Sequence, residues 1–432
     1  LVLDYPSAGR FEEALAVAEL AIAQPAGEQT LLHYYKSWCL IRLGKTAEAQ
    51  IAIATAEKEP ADYCFPNALE AIEALQCVVD FAGKAPKALY YLGNLWYDKR
   101  RYPTAIAAWE RSSREDETFP TVWRNLSLAY FNKMNRPDEA VALLEKAFRL
   151  DHTDARVLME LDQLYKRLNR PHIERLCFLE QHIDIVMTRD DLYLEYVTLL
   201  NQTGQYREAI RRIDQRKFHP WEGGEGKVPA QYQLARLELA KELINRKKYD
   251  DALALIDECY IYPTHLGEGK LPGAQENDFN YYKAYILQQQ GRPEEAHSLF
   301  VKASSGNSQP AAAMYYNDQK PDKIFYQGLA YRKLGEEEKA RSRFNQLITY
   351  GEEHLFDRFK MDYFAVSLPD LLIWEDDMDK KNRIHCNYLM ALGHLGLGNR
   401  TKAEHFFDIA ASMDNNHQGV QIHRKLMNTI LS

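Results

Sequence analysis

A turn residue followed five positions later by alanine recurs nine times along the chain, and this spacing constrains the fold more than any other feature of the sequence. Glycine favours a tight turn after a helix because it tolerates a positive φ angle, and alanine lets two antiparallel helices approach closely. The residue four positions after each alanine is usually large and apolar, which places both on one face of a second helix. Nine such turns therefore predict a stack of antiparallel helix pairs. The turns are Gly9/Ala14, Gly44/Ala49, Arg100/Ala105, Asn135/Ala140, Gly204/Ala209, Lys247/Ala252, Gly291/Ala296, Gly335/Ala340 and Gly398/Ala403.

The helix before each turn carries a pattern of its own. Leu89, Gly93 and Trp96, for example, place a bulky, a small and an aromatic residue at positions i, i+4 and i+7 of one helix face. Together the two helices resemble the tetratricopeptide repeat, whose second helix adds alanine, a bulky residue and a second small residue. This resemblance implies an all-α fold, a right-handed α-solenoid (superhelix) of about ten helix–turn–helix repeats. It is strongest over residues 86–151, 190–216 and 321–348.

Two residues depart from the repeat pattern. Asp162 stands at a position that should be small, and Arg216 occupies the last small position of its unit. The 69-residue step between Ala140 and Ala209 also predicts a degenerate unit near residues 169–175. We expect these units to pack imperfectly or to be specialised.

Three successive steps of 43–44 residues exceed an ordinary unit by about nine residues, which predicts long loops after three second helices. We divide the chain into N-terminal repeats with a degenerate unit, regular repeats, repeats with long loops, and C-terminal repeats with a long insert. These segments are residues 1–85, 86–217, 218–320 and 321–432, and the loops are residues 218–230, 262–275 and 304–321.

The first two loops both contain Gly-Glu-Gly-Lys, at residues 224–227 and 267–270, followed by an apolar residue and proline. A phosphate-binding P-loop is excluded, because Ser or Thr does not follow the lysine and no strand precedes the motif. Turn chemistry explains the glycines, and Pro229 and Pro272 would each start the next helix. It does not explain the repeated Glu and Lys, so an edge that binds a ligand or partner is the alternative. The candidate binding residues are His219, Trp221, Glu225, Lys227, His265, Glu268 and Lys270.

Loops between the repeats of a solenoid emerge on one edge, so the two Gly-Glu-Gly-Lys loops should be neighbours. We expect them to be separated by one helix pair, or roughly 15–20 Å.

Three further candidates lie on predicted first helices, which line the groove of such arrays. Tyr90 could stack on a sugar or contact a bound peptide, although packing between the repeats also explains an aromatic residue at this position. Asn94 and Asn125 fall where some tetratricopeptide domains hold a peptide carboxylate. The expected cations are replaced by Tyr90 and Glu160, and Glu160 would add a repulsive charge.

Composition narrows the possible functions. The net charge of −8 argues against a nucleic-acid surface, and no apolar run is long enough to predict a membrane span. Six scattered cysteines without CxxC suggest free thiols in a reducing, cytoplasmic compartment. Residues with catalytic or metal-ligand spacing are absent from the sequence, and His385, His394 and His405 lack a partner at such spacing, so we predict neither a cofactor nor a metal. The chain begins at Leu1 without a signal peptide, and we expect it to be a fragment of a longer protein.

Several stretches resemble the C-terminal region of a group of large bacterial proteins. They are RKFHPWEGGEGKV at 216–228, YPTHLGEGKLPG at 262–273, and a segment at 361–398 that begins MDYFAVSLPDLLIWEDD. In that group a β-rich, mutarotase-like N-terminal domain of unknown function precedes a tetratricopeptide array. The resemblance implies that the full protein handles carbohydrate.

The sequence therefore predicts a non-catalytic scaffold that binds protein or peptide, either a partner or the N-terminal domain of its own parent chain. The alternative is an accessory or substrate-binding part of a carbohydrate-active enzyme that uses the two Gly-Glu-Gly-Lys loops. Trp221, Glu225 and Glu268 on one edge would suit a sugar.

Overall fold

The computed structural model describes residues 2–24, 29–62, 64–312, 318–358 and 373–427, and within these ranges it contains helices but no strand. The predicted all-α fold is therefore confirmed. Residues 361–372, part of the third resembling stretch, lie outside the described ranges. Backbone contacts divide the chain into two compact units, Leu1–Leu161 and Asp162–Ser432.

The first unit contains nine complete helices and the start of a tenth within the described residues. They are α1 Asp4–Ser7, α2 Phe11–Ile22, α3 Gln29–Arg42, α4 Thr46–Ala56, α5 Glu70–Ala82, α6 Pro86–Asp98, α7 Tyr102–Glu115, α8 Pro120–Met134, α9 Pro137–Leu150 and α10 Ala155–Arg167, which continues into the second unit.

The second unit contains the remaining described helices. They are α11 His172–Gln181, α12 Ile183–Val186, α13 Asp190–Gln202, α14 Tyr206–Asp214, α15 Lys227–Asn245, α16 Tyr249–Cys259, the 3-10 helix Thr264–Leu266, α17 Asn277–Gln289, α18 Pro293–Ser304, α19 Pro321–Lys333, α20 Glu337–His354, α21 Met378–Gly396, α22 Arg400–Met413 and α23 Gln418–Leu426.

All nine predicted turn residues have a positive φ angle, between 52° and 80°. Arg100, Asn135 and Lys247 adopt this conformation although they are not glycine. The nine alanines that follow the turns are all buried, with at most 2% of their surface exposed. Asn169 has a φ of 56° between α10 and α11, so the predicted degenerate unit near residues 169–175 is also a helical hairpin.

Small residues on the first helices make room for large residues on the second helices. A Cβ atom added at Gly93 would lie 2.3 Å from the Trp109 side chain, and one added at Gly328 would lie 2.4 Å from Phe344. Such distances are far below normal van der Waals contact, so only glycine permits these crossings.

The hairpin of α10 and α11 is held together by a buried ionic network. This network includes Asp162, one of the two residues that depart from the repeat pattern. Arg175 donates hydrogen bonds of 3.0 and 2.7 Å to the two carboxylate oxygens of Asp162, and one of 2.7 Å to Glu195. Lys166 also donates to Glu195, and Asp162 and Arg175 are at most 1% exposed. Buried charges of this kind are tolerated because each has a partner of opposite charge.

The departure at Arg216 likewise forms specific contacts. Its guanidinium lies 4.4 Å from the centre of the Tyr193 ring and donates a 2.7 Å hydrogen bond to Asp190. A second bond, of 2.9 Å, goes to the carbonyl oxygen of Met187. The arginine therefore replaces small-residue packing with stacking and ion pairing.

The end of the second unit contacts its beginning, which the sequence did not predict. The backbone N–H of Asn415 donates a 3.1 Å hydrogen bond to Oδ1 of Asn169, and its side-chain Nδ2 donates one of 2.7 Å to the Asn169 carbonyl. Asn416 accepts a 2.7 Å bond from Arg175 and donates one to the Lys166 carbonyl. Within the second unit, polar side chains therefore join the segment before α23 to the first hairpin.

None of the helices in the described ranges is long and apolar enough to cross a lipid bilayer.

Candidate functional site

The two Gly-Glu-Gly-Lys loops touch each other. The N–H of Phe218 donates a 2.8 Å hydrogen bond to the carbonyl of His265, and the N–H of Gly226 donates a 2.7 Å bond to Oε2 of Glu268. The prediction that the loops are neighbours is confirmed. The predicted separation of 15–20 Å is wrong, because both loops leave their helices and fold against one another.

The two copies of the motif have different backbone conformations. In the first copy the second glycine, Gly226, has a positive φ angle, of 71°. In the second copy the first glycine, Gly267, has a positive φ angle, of 77°. Gly224 lies against the indole of Trp221, where an added Cβ would be 2.3 Å from the ring. An added Cβ at Gly267 would lie 2.7 Å from the Phe218 carbonyl oxygen. The same residues are thus used for different contacts.

The two prolines also differ in role. Pro229 lies in the first turn of α15, as predicted. The prediction for Pro272 is wrong, because α17 begins only at Asn277. Gly273 follows Pro272 with a φ of 84°, which turns the chain before the helix can start.

The two lysines diverge as well. Lys227 starts α15, and its ammonium forms no ion pair with a described residue. Desolvation of the ammonium by the surrounding protein, and then the charge of Lys166, lower the pKa of Lys227. Lys270 is engaged locally, since it donates a 3.0 Å bond to the Tyr260 carbonyl and pairs with Glu276.

Four of the seven loop candidates share one cavity of about 250 Å³. Burial raises the pKa of Glu268, and the nearby charge of Glu225 raises it further, although the Gly226 N–H opposes both effects. His219 closes one side, with Nδ1 3.0 Å from Oδ2 of Asp190. The cavity combines an indole ring with several carboxylates. Its lining residues are His219, Pro220, Trp221, Glu222, Gly224, Glu225, Val228, Leu266 and Glu268.

The remaining loop candidate, His265, is not part of this lining. Its ring packs edge-on against Tyr232, with ring centres 6.3 Å apart, and its Nε2 lies 3.8 Å from Asp214. The structure therefore brings together His219, Trp221, Glu225 and Glu268 but not Lys227, His265 and Lys270.

In the first unit, Tyr90 is 8% exposed and packs edge-on against Phe119, with ring centres 4.9 Å apart. Oδ1 of Asn94 accepts hydrogen bonds from Asn125 Nδ2 and from the Trp109 indole, at 3.0 and 3.1 Å. These contacts favour the interpretation that Tyr90 packs between repeats. They also show that the two asparagines are hydrogen-bonded to each other.

The expected repulsive charge of Glu160 is neutralised. Arg124 donates two hydrogen bonds, of 2.6 and 2.5 Å, to its carboxylate, and Arg156 donates a third of 2.9 Å. Glu160 is 1% exposed. An anion bound beside Asn125 would therefore meet a closed ion-pair network instead of a bare carboxylate.

A site that the sequence did not predict runs along α15. Three cavities of about 350, 310 and 190 Å³ follow one another there, and we call them together the α15 groove. Neighbouring cavities share lining residues: Ala230 and Lys320 belong to the first and second, Lys241 and Ile422 to the second and third. The floor residues recur every three or four positions, which is one face of a helix. They are Gly226, Ala230, Gln233, Leu237, Lys241 and Ile244.

Most charges in the α15 groove are paired. Lys241 lies 2.5 Å from Glu238, and Lys323 lies 2.5 Å from Asp278. Lys320 differs, because its ammonium forms neither a hydrogen bond nor an ion pair with a described residue. Burial and then the charge of Lys323 lower the pKa of Lys320.

The histidines named in the sequence do not form a metal centre. His385 Nε2 lies 2.8 Å from the Ala311 carbonyl, and His394 stacks on Phe406. Among the described residues, no group of three or more His, Cys, Asp or Glu side chains could hold a metal ion.

Comparison with known proteins supports the repeat assignment. Two family models, both described as tetratricopeptide repeat, match residues 65–121 and 324–350. The first match covers α5 to α7, and the second covers most of α19 and most of α20.

Several solved structures are similar to parts of the chain at low identity. MamA is 16% identical over 42% of this chain and 92% of its own, with a TM-score of 0.27. YrrB, described as a TPR protein with an unusual peptide-binding site, is 15% identical over 44% and 91%, with a TM-score of 0.33. A tetratricopeptide repeat protein from Parabacteroides merdae is 16% identical over 70% and 99%, with a TM-score of 0.27. These scores are too low to add to the argument from the turns and the family models. On that argument, the chain contains tetratricopeptide repeats.

Proposed function

We propose that the chain is a non-catalytic tetratricopeptide scaffold that binds a protein segment in the α15 groove. The segment comes from a separate partner or from the rest of a longer parent chain. The observation that carries this proposal is the continuity of the groove, since successive cavities share Ala230, Lys320, Lys241 and Ile422. An uninterrupted channel suits a chain molecule better than a small ligand.

The length of the groove suits a short peptide. Its floor runs from Gly226 to Ile244, which at 1.5 Å per residue is about 27 Å. An extended peptide rises about 3.3 Å per residue, so about eight residues would fill the groove. The mixture of apolar walls and buried ion pairs offers both packing and hydrogen bonds to such a segment.

Selection from random decapeptides displayed on phage would test the proposal. We expect selected peptides to bind the wild type and to lose at least tenfold in affinity with Ala230→Trp, which fills the junction of the first two cavities. Ala254→Trp is the matched control, because Ala254 is exposed on α16 and does not line the groove. Failure to select any peptide, or equal loss in both variants, would refute the proposal.

A second function is favoured by the cavity between the loops, where Trp221, Glu225 and Glu268 lie together. An aromatic face beside carboxylates suits a sugar, whose apolar face stacks and whose hydroxyls donate hydrogen bonds. The chain would then be an accessory or substrate-binding part of a carbohydrate-active enzyme.

Glycan-array binding would separate the two functions. A sugar site predicts a glycan signal that Trp221→Ala abolishes and Glu225→Gln weakens. Ala230→Trp should leave that signal unchanged, because Ala230 does not line the loop cavity. An array without signal, or a signal that survives Trp221→Ala, would eliminate the sugar site.

A cytoplasmic location belongs to the same proposal. It is supported by the cysteines, all six of which are free thiols.

A further inference from the structure

Two histidines in the wall of the second cavity keep a ring nitrogen that can accept a hydrogen bond. Nδ1 of His423 lies 2.8 Å from the carbonyl oxygen of Gly419, which can only accept, so the proton of this ring is on Nδ1. Nε2 of His385 lies 2.8 Å from the Ala311 carbonyl oxygen and carries the proton for the same reason. Desolvation lowers the pKa of both rings to about 4, so both are neutral at pH 7. The acceptors are therefore Nε2 of His423 and Nδ1 of His385.

Nε2 of His423 is a buried acceptor without a donor. The ring is 3% exposed, and Nε2 has no hydrogen-bond partner among the described residues. Buried polar atoms are normally paired, because an unpaired one loses its bond to water and gains nothing in return. An unpaired acceptor in the wall of a cavity therefore indicates a place for a donor on a bound molecule.

The same cavity also contains two donors. The hydroxyl oxygen of Tyr388 lies 3.0 Å from Nδ1 of His423 and accepts its proton, so the O–H of Tyr388 remains available. Nδ1 of His417 accepts a 3.1 Å bond from the Val420 N–H, which leaves the proton of His417 on Nε2. Neither donor bonds a further described residue. The ring centres of His417 and His423 lie 4.7 and 5.9 Å from that of Tyr388, so donors and acceptors are close together.

The formal charges in the wall of the second cavity cancel. Three carboxylates and three ammonium groups line it, and the histidines add no charge. An anion and a cation would each meet as many like as opposite charges, so neither is favoured over a neutral molecule. The charged residues are Glu238, Asp278, Asp322, Lys241, Lys320 and Lys323.

Hydroxyl groups match this wall, because each of them both donates and accepts a hydrogen bond. The cavity has a volume of about 310 Å³, and an apolar cavity of about 150 Å³ already holds benzene. The second cavity therefore has room for a six-membered ring together with its polar substituents.

We infer that the second cavity binds a neutral polyhydroxylated molecule of about the size of a monosaccharide or cyclitol. Its hydroxyls donate to His423 and His385 and accept from Tyr388 and His417. This inference goes beyond the proposed function, since it concerns a small ligand instead of a protein segment. Because both would occupy the second cavity, they would compete.

Saturation-transfer NMR of the whole chain with glucose, galactose, mannose and myo-inositol would test the inference. Tetrahydropyran, the pyranose ring without hydroxyls, is the control probe, and glucuronate and glucosamine carry a charge. We expect at least one neutral polyol to bind at least tenfold more tightly than tetrahydropyran and at least as tightly as the charged sugars. Absence of binding by all four polyols, or tighter binding of a charged sugar, would overturn the inference.

Variants of the protein assign the binding to the cavity. Tyr388→Phe removes only a hydroxyl and should weaken binding about tenfold, as expected for the loss of one hydrogen bond. His423→Phe keeps a flat ring but removes Nε2 and should have a similar effect. Tyr249→Phe is the matched control, because Tyr249 lies on α16 and lines none of the three cavities. Thermal unfolding checks that each variant folds, and Tyr388→Phe decides if His423→Phe does not. Unchanged binding in Tyr388→Phe would overturn the inference.

Two further outcomes separate this inference from the proposed functions. Trp221→Ala should leave the polyol signal unchanged, because Trp221 lines only the loop cavity. A signal lost in Trp221→Ala but retained in Tyr388→Phe would assign the sugar to the loop cavity and refute the inference. If phage-selected peptides bind but no polyol does, the inference is wrong and the scaffold proposal stands. If polyols bind but no peptide is selected, the scaffold proposal fails and the inference stands.

Discussion

The carboxylate of Glu268 accepts a 2.7 Å hydrogen bond from the backbone N–H of Gly226, the residue that precedes helix α15. Free N–H groups at the start of a helix attract negative charge, because the helix dipole is positive there. The second loop therefore supplies an anion to the helix that the first loop begins. Glu268 lines both the loop cavity and the first cavity of the α15 groove, and Gly226 lines that groove cavity, so this contact lies where the two sites meet.

Removing this carboxylate should loosen the loops. Glu268→Ala deletes a charge-assisted hydrogen bond in a half-buried place, and we expect a loss of about 1 kcal/mol in the free energy of unfolding. Hydrogen exchange of residues 222–230, followed by mass spectrometry, should become faster. Glu222→Ala, which removes an exposed glutamate from the first loop, is the control and should leave exchange unchanged. Equal protection in Glu268→Ala would mean that the bond does not hold the loops together.

The repeated motif provides its own matched pair of glycine variants. Gly267→Ala should destabilise the protein by more than about 1 kcal/mol, because its φ is 77° and an added Cβ would lie 2.7 Å from a backbone oxygen. Gly269→Ala should be neutral, since its φ is ordinary and no atom lies within 4 Å. Thermal unfolding of the two variants measures the difference. Similar melting temperatures would contradict the assigned loop conformations.

The turns and the helix pairs could be predicted because the residues that form them are only a few positions apart in the sequence. The alanines pack where two helices cross, so Arg100 and Lys247 could be recognised as turn residues although glycine is absent there. The hairpin at Asn169 could be predicted from chain length alone, since the long step between alanines had to contain a further unit.

The site could be predicted only in part, because its geometry depends on contacts between distant residues. The common edge of a solenoid indicated that the two loops would be neighbours, but it placed them too far apart and did not indicate that Glu268 would bond Gly226. The prediction that Pro272 starts a helix was wrong, because Gly273 turns the chain directly after it. The α15 groove could not be predicted, because the residues of its floor have the same sequence spacing as one face of any packed helix. Lys320, which also lines the groove, belongs to a predicted loop.

The buried network around Arg175 gives the largest expected effect on stability. Arg175→Met would leave the carboxylate of Asp162 buried without its partner and would remove one of the two cations that hold Glu195. We expect a loss of about 3–5 kcal/mol, measured by thermal or chemical unfolding. Arg246→Met is the control, because Arg246 is exposed on the surface. A loss below about 1 kcal/mol would show that the network is solvated.

Two histidines, the buried His423 and the half-buried His385, predict a loss of stability in acid. Burial lowers the pKa of His385 and of His423 to about 4, below the value of about 6.5 that each regains on unfolding. Between these values the unfolded chain binds more protons, so stability falls as the pH falls from 6.5 towards 4. Each histidine should contribute about 2 kcal/mol of this loss at pH 5.

Denaturant titrations at pH 7 and pH 5 test this dependence. His385→Gln keeps a donor for the Ala311 carbonyl but cannot be protonated, so its stability should fall by about 2 kcal/mol less than that of the wild type. His297→Gln, at an exposed position on α18, should follow the wild type. An identical fall in all three proteins would mean that His385 is protonated as easily in the folded state.

The contact between the two ends of the second unit depends on Asn416, which is 7% exposed. Its side chain accepts a 2.7 Å bond from Arg175 and donates one of 3.0 Å to the Lys166 carbonyl. Asn416→Ala leaves both groups without this partner in a buried place, and we expect a loss of about 2 kcal/mol. Because the segment then holds α23 less firmly, hydrogen exchange in α23 should become faster than in α22. Ser412→Ala is the control, since its exposed hydroxyl donates a hydrogen bond to the Ile409 carbonyl within its own helix, α22. If α23 kept its protection in Asn416→Ala, its other contacts would be sufficient to hold it, among them the packing of Val420 and the hydrogen bonds of Gln418 with Gln231 and of His423 with Tyr388.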